Sequence, residues 1–485
     1  MNEERIKVSA FLIQTFAAVV ISYLVVLTGF AFAWPSYNVA NFGSNVTVLS
    51  SPMGTLEISL LGSMANVGAL LATPLCTYAL NTYGRKYTAM SFGLPFVISW
   101  TILTLTNYVP LVILAMAILG IGAAGQVASS IYIAEISQDA IRGALTSSIV
   151  TSYFLGLLMS YSWGGYFSYK TVVYVHLSLS IVYIVLLASL KESPVFLMQQ
   201  GKEEEAAKSI AFYRRVDVTS KEVEAEISRI KLQLDPRIER ILEEVNDPAA
   251  AMELLKMKPE IQNMKAESEW QFLRKSKSSI RAVIVALLVM AYTVLMGIIV
   301  LQVYAEPLFK EATPSMEANQ CTIFLAVDFL VASFLCGALV DRLGRRYLLI
   351  VTTLASGVCL LLLGTQLQLH WAPHWLTVVL IYAYCFVYNL GPAPIPYVIA
   401  AEFFLPEVRG LCNSMVNACA WIMNFITLSI FSILVEYTGL GVVFYGFSAV
   451  SFLGAIYCYY YLPETKGLPA DAIQPLFLKR KETKT

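Results

Sequence analysis

The sequence predicts an all-α membrane protein: twelve membrane-crossing helices in two pseudo-symmetric six-helix bundles. Three observations carry this. Of 485 residues, 57% are hydrophobic and 14% charged, against about 45–50% apolar in soluble domains. Apolar runs of about 20 residues, the length a helix needs to cross a bilayer, recur twelve times. Two short loops of one kind, Asn81-Thr82-Tyr83-Gly84-Arg85-Lys86 and Asp341-Arg342-Leu343-Gly344-Arg345-Arg346, lie between such runs in matching places.

The first six runs fall near residues 11–33, 56–80, 88–106, 109–130, 145–167 and 172–190, and the second six near 281–304, 321–340, 347–368, 375–400, 411–435 and 440–462. The expected division is therefore a first half over 1–190, a linker over 191–280, a second half over 281–462 and a tail over 463–485. The run from Phe11 to Ala33 spans the bilayer and lacks a small-residue cleavage site, so it reads as a retained span and not a signal peptide. All eight cysteines (Cys76, Cys321, Cys336, Cys359, Cys385, Cys412, Cys419 and Cys458) fall in or beside apolar spans, which makes them small core residues and not a disulfide or zinc framework.

Orientation follows from the cations, because Lys and Arg resist translocation. Drawn on these spans, 31 of the 33 Lys and Arg fall on one side, leaving Lys170 and Lys310 opposite. Both termini and the linker are thus expected to be cytoplasmic, with the plasma membrane as location. The sequon Asn45-Val46-Thr47 then lies in the first outer loop, making Asn45 a candidate glycosylation site. In the linker, Glu203, Glu204, Glu205 and Lys208 precede Val223, Ile227, Ile230 and Leu234 at helical spacing, the pattern of short amphipathic helices bracketing the two halves.

Each half carries three signatures in the same order: the Gly-Arg-basic loop; Glu135 with Arg142-Gly143, matched by Glu402 with Arg409-Gly410; and Glu192-Ser193-Pro194, matched by Pro463-Glu464-Thr465-Lys466-Gly467. Carboxylates and guanidiniums at helix ends pair across neighbouring helices, so Arg85, Glu135, Arg142, Glu192, Asp341, Arg345, Glu402, Arg409 and Glu464 are the expected cytoplasmic gate. With these motifs the chain resembles the sugar porters of the major facilitator superfamily, in the style of insect trehalose and animal glucose facilitators, over nearly its whole length outside the linker. The resemblance implies a major facilitator fold, an inner gate at the Arg and Glu residues just named, and a broken tenth helix beside the substrate at Gly391-Pro392-Ala393-Pro394-Ile395-Pro396-Tyr397. Alternate prolines leave carbonyls unpaired, which is tolerable only against protein or a watery cavity.

The departures from the family pattern are as informative. Asn81 stands where the family has Asp, Met116 where it usually has Arg, Val195 for the Arg of its Pro-Glu-Ser-Pro-Arg signature and Lys191 for its first proline. These changes predict a depleted N-terminal latch that favours opening inward. At positions where the family binds sugar, Val150, Thr293, Val294, Ile299, Phe329 and Ala420 replace amides, while Trp421 and Asn424 survive and Tyr397 replaces a Trp. Each sugar hydroxyl left unpaired costs about 1–3 kcal/mol. Asp328, an acid well inside a span, is a functional group by default: it binds a cationic or hydroxylated solute, carries a proton, or lies protonated against a neighbouring helix. Thr293, Tyr304, Asp328, Asn389, Tyr397, Trp421 and Asn424 make up the candidate substrate site. Asn66, Gln126 and Gln302 are weaker candidates, and His176 reads as a packed or hydrogen-bonding histidine.

The predicted function is a carrier moving a small solute, nominally a hexose or trehalose, by alternating access between repeats. Span 1 holds no carboxylate, where proton-coupled members of the family have Asp, so uncoupled movement is expected. The same scaffold carrying a less polar or cationic solute, and a non-transporting sensor, are the alternatives. No nucleophile–base pair, metal cluster or phosphate loop is present, so neither an enzyme, a cofactor, a metal nor a nucleic-acid partner is expected; the partners are the solute and the lipid bilayer.

Overall fold

The computed structural model describes residues 7–234, 270, 273–274, 276–404, 406–466 and 473–477. Among them are twelve helices long and apolar enough to cross a membrane. Spans 1–6 are Val8–Phe42, Thr55–Tyr83, Arg85–Leu105, Val109–Ile136, Asp139–Gly164 and Tyr169–Ala188. Span 7 begins at Lys277–Leu295, and spans 8–12 are Ala318–Leu343, Arg345–Leu369, His374–Ala400, Pro406–Thr438 and Leu440–Tyr461. Three short helices, Pro194–Gln199, Glu203–Arg214 and Lys221–Leu234, follow span 6.

Observed helices overrun the apolar runs where their ends pack inside the bundle. Span 1 continues past Ala33 because Trp34, Pro35, Ser36 and Asn38 are buried, and Pro35 leaves it unbroken. Span 7 departs most from expectation. Instead of one helix to residue 304, the span breaks at Gly297, with a φ of 91°, and again at Tyr304, giving Lys277–Leu295, Ile298–Val303 and Ala305–Ala312. Span 10 breaks where its prolines predict, between Leu390 and Ile395.

Lipid tails are as apolar as the helix surfaces, so close packing and hydrogen bonds hold the bundle together. Spans 1 and 5 meet where a Cβ on Gly29 would lie 2.8 Å from the Cα of Gly156. The same logic brings span 2 onto span 4, where a Cβ on Gly120 would meet the Ala65 carbonyl at 1.8 Å. Between the halves, span 2 packs on span 11 and span 5 on span 8. All eight cysteines are free, six of them buried and Cys359 and Cys419 partly so. His176 is fully buried in an aromatic nest, stacked on Phe30 at 4.7 Å and next to Trp100 and Trp163.

The linker helices form their own small core of Ala207, Ile210, Ala211, Val223 and Ile230, with Ile227 packed against it; Leu234 ends the last helix. They are bolted to the first half. The Tyr213 hydroxyl donates to the Lys191 carbonyl at 2.6 Å and meets the Tyr132 hydroxyl at 3.2 Å, and Gln14 donates to the Tyr213 carbonyl at 3.2 Å. Asn45 is exposed between spans 1 and 2, at the end of the bundle opposite the linker.

Candidate functional site

Two matching clusters sit where the paired motifs come together on the linker face. Between spans 2 and 3 the connection is a single residue, Gly84, whose φ of 93° is reserved for glycine and turns the chain so that the first N–H groups of span 3 point outward. The Glu192 carboxylate fills that space, accepting from Arg85 N at 2.9 Å, Lys86 N at 3.0 Å and Ser193 N at 2.8 Å. A remote carboxylate thus caps the positive end of the helix. Burial pushes the Glu192 carboxyl above the ordinary carboxylate range, against the pull of these donors and of Arg85.

The Arg85 side chain turns the other way, to Glu135 at the end of span 4, through Nη2 at 2.7 Å and Nε at 3.0 Å. Glu135 also accepts from the Ser193 hydroxyl. Lys86 Nζ closes the arrangement by donating to the carbonyls of Ala188 and Leu190 at 2.8 and 2.7 Å, capping the negative end of span 6.

The second half repeats every part. Gly344 has φ 86°; Glu464 accepts from Arg345 N at 2.9 Å and Arg346 N at 3.1 Å; Arg345 reaches Glu402 at 2.8 Å; and the Thr465 hydroxyl donates to Glu402 at 2.5 Å. Arg346 caps span 12 through the Tyr459 carbonyl at 2.7 Å, as Lys86 caps span 6. Ser193 and Thr465 were present in the third repeated signature, and their pairing with Glu135 and Glu402 is the role the spacing left unnamed.

The first latch keeps its central Arg–Glu pair. Asn81 is exposed, yet Arg85 keeps Glu135 in a pair more buried than its counterpart, with side chains 8% and 15% exposed against 13% and 23% for Arg345 and Glu402. Val195 has a use of its own, packing against the linker core. Arg142 donates to the Ser137 carbonyl at 3.3 Å. The side chains of Asp341 and Arg409 lie outside the described residues.

Within the bundle the candidate substrate residues divide. Tyr397, just past the break in span 10, is 50% exposed, and Trp421 and Asn424 of span 11 are partly exposed. Val150 of span 5 is 53% exposed. Thr293 and Asn389 face the packing instead: the Thr293 hydroxyl donates to the Val289 and Met290 carbonyls at 3.0 Å, and Asn389 to the Cys385 carbonyl at 2.8 Å. Phe329, which takes the place of a family amide, is buried against Phe154 of span 5 at 5.4 Å. One residue earlier, Asp328 lies within electrostatic reach of Tyr382 and Cys385 of span 10, and its Oδ2 is buried without a hydrogen bond.

Tyr304 belongs to a third cluster, where the halves meet at the face opposite the linker. Its hydroxyl donates to the Ile58 carbonyl at 3.2 Å and its ring stacks on Phe431 at 5.7 Å. Beside it the Tyr153 hydroxyl donates to Gln302 Oε1 at 3.0 Å, Tyr161 to the Gln302 carbonyl, and Glu306 N to the Ser36 hydroxyl at 2.9 Å. Tyr153 and Tyr161 carry no signal in the sequence, since a tyrosine in an apolar span is ordinary until its partner, 149 positions away for Tyr153, is known.

Comparison with known proteins agrees with this architecture. The family model described as sugar (and other) transporter matches residues 10–477. A facilitated trehalose transporter, Tret1, of Culex quinquefasciatus is 24% identical, the match covering 95% of this chain and 85% of that protein. The Tret1 of Polypedilum vanderplanki is 25% identical, over 96% and 88%. The inward-open structure of the E. coli xylose transporter XylE matches with a TM-score of 0.74 at 20% identity, covering 95% of this chain and 98% of that one.

Proposed function

Because the chain belongs to the sugar (and other) transporter family, we propose that it carries a hexose or trehalose across the plasma membrane by alternating access, without ion coupling, with the linker and both termini in the cytoplasm. The single observation that carries this reading is the asymmetry of the seam between the halves. Four hydrogen bonds close it at the face opposite the linker. Toward the linker, Val150 and Tyr397 are half-exposed and a Cβ on Gly143 would meet nothing within 4 Å. This asymmetry supports the reading of a carrier open to the linker side, in which Tyr397, Trp421 and Asn424 are proposed to line the solute path. The two Arg–Glu pairs each lie within one half; they hold the helix ends rigid so that each half moves as a body, and they serve as the gate when those ends meet.

A carrier for a less polar or cationic solute is the second reading, favoured by Val150 where the family pattern has an amide. The test is uptake of labelled glucose, fructose and trehalose into oocytes with the protein confirmed at the surface. Saturable uptake of one sugar supports the first reading; none, with a less polar or cationic solute taken up instead, replaces it with the second.

A further inference from the structure

We propose that Ser59 and Asn66 of span 2, with Gln302 of span 7, form a polar subsite for a neutral, polyhydroxylated solute that is exposed when the halves part at the face opposite the linker. It rests on the alternating-access reading above.

Three observations carry it. Ser59, Gly62 and Asn66 share one helix face, at i, i+3 and i+7. That face is turned across the seam, because a Cβ on Gly62 would lie 2.3 Å from the Tyr304 hydroxyl and 3.1 Å from the Val303 side chain. On it, Ser59 and Asn66 are 1% and 0% exposed, and neither the Ser59 hydroxyl nor the Asn66 Oδ1 has a hydrogen-bond partner. The Asn66 amide nitrogen reaches only the Ser63 carbonyl, at 3.3 Å.

Orphaned polar groups are expensive in any packed interior and more so in a membrane. At an interface that never parted, apolar residues would pack there at lower cost. At a seam that must open, the same groups are the wall of the path in the other state. Gln302 completes the set: its Oε1 is held by Tyr153 of the opposite half here, and that bond has to break as the seam opens, freeing an amide next in sequence to Val303, whose side chain faces Gly62 of the same span 2 face. Two amides and a hydroxyl present paired donors and acceptors, which match vicinal hydroxyls, and none is ionisable, which matches a neutral solute. This also answers where hydroxyl recognition went when Val150, Ile299 and Ala420 took the family's amide positions: part of it moved outward along the seam.

The test measures sugar influx and efflux separately in cells or vesicles of known orientation. Asn66→Ala is expected to raise KM for entry from the face opposite the linker about fivefold, the value of one hydrogen bond, and to leave KM for exit unchanged. Ser59→Ala is a milder substitution with the same directional effect should Asn66→Ala fold poorly. Ser59→Cys is expected to react with a membrane-impermeant maleimide applied from that face, and to be protected by the transported sugar. Equal changes in both directions, an unchanged entry KM, or a Ser59→Cys that never labels would overturn the subsite. Absence of sugar flux in the unaltered chain would sink the carrier reading instead, a result separable because the labelling does not depend on flux.

Discussion

Replacing Gly84 by alanine tests the account of the capped loop. Two costs arise. The backbone at φ 93° and ψ 178° is a region essentially confined to glycine, worth about 1–3 kcal/mol of strain for any other residue. The new Cβ would also stand 2.6 Å from Glu192 Oε2 and 2.6 Å from the Phe196 ring. Moving the carboxylate sacrifices its bonds from Arg85 N and Lys86 N, at about 1.5–3 kcal/mol each for charge-assisted bonds, less what water restores at this half-buried site. The total is about 3–6 kcal/mol. The assay is the thermal midpoint of the detergent-purified protein, followed by size-exclusion fluorescence. Gly84→Ala should melt well below the unaltered chain, while Gly446→Ala, in a helix with nothing within 4 Å of the added carbon, should not. In a Glu192→Ala background the carboxylate and its bonds are already gone, so Gly84→Ala should cost only the strain and the contact with the Phe196 ring, a non-additivity of about 2 kcal/mol or more. Melting of Gly84→Ala at the unaltered midpoint, or simple additivity with Glu192→Ala, would refute the capping argument.

Three further outcomes follow from the geometry. Tyr153→Phe removes one bond across the far seam, about 1 kcal/mol, so spin labels at Val46 and Met316 should report several-fold more of the separated state; an unchanged distance distribution would count against the seam. Asp328→Asn should leave sugar KM unaltered, because the acid lies within electrostatic reach of Tyr382 and Cys385 of span 10, whereas Trp421→Ala should raise KM about tenfold through lost ring contact; the reverse order in uptake assays would put the acid on the path. Tyr213→Phe loses the bonds to Lys191 and Tyr132 that seat the linker and should speed proteolysis within the linker helices without abolishing expression.

The spans were legible because the thickness of the hydrocarbon core fixes their length, and the break in span 10 because three prolines cannot all sit in a regular helix. The break at Gly297 was not, since a lone glycine is ordinary in a membrane helix and only its positive φ reveals the turn. Duplication made the paired residues readable: Arg85, Glu135 and Glu192 meet as Arg345, Glu402 and Glu464 do. Which way a polar side chain faces was less readable. Thr293 and Asn389 satisfy themselves on carbonyls three or four residues back, an option every hydroxyl and amide in an apolar helix has. Asp328 shows how much turns on helix rotation, since its neighbour Phe329 packs on Phe154 of span 5 while the acid lies within electrostatic reach of span 10.

The most direct test of the central claim is counterflow in proteoliposomes preloaded with an unlabelled sugar and given a trace of the same sugar, labelled, outside. A carrier whose two halves expose one site alternately predicts a transient accumulation of label above equilibrium, abolished when the seam is cross-linked at the face opposite the linker. Label that rises to equilibrium without overshoot for glucose, fructose and trehalose alike would contradict it.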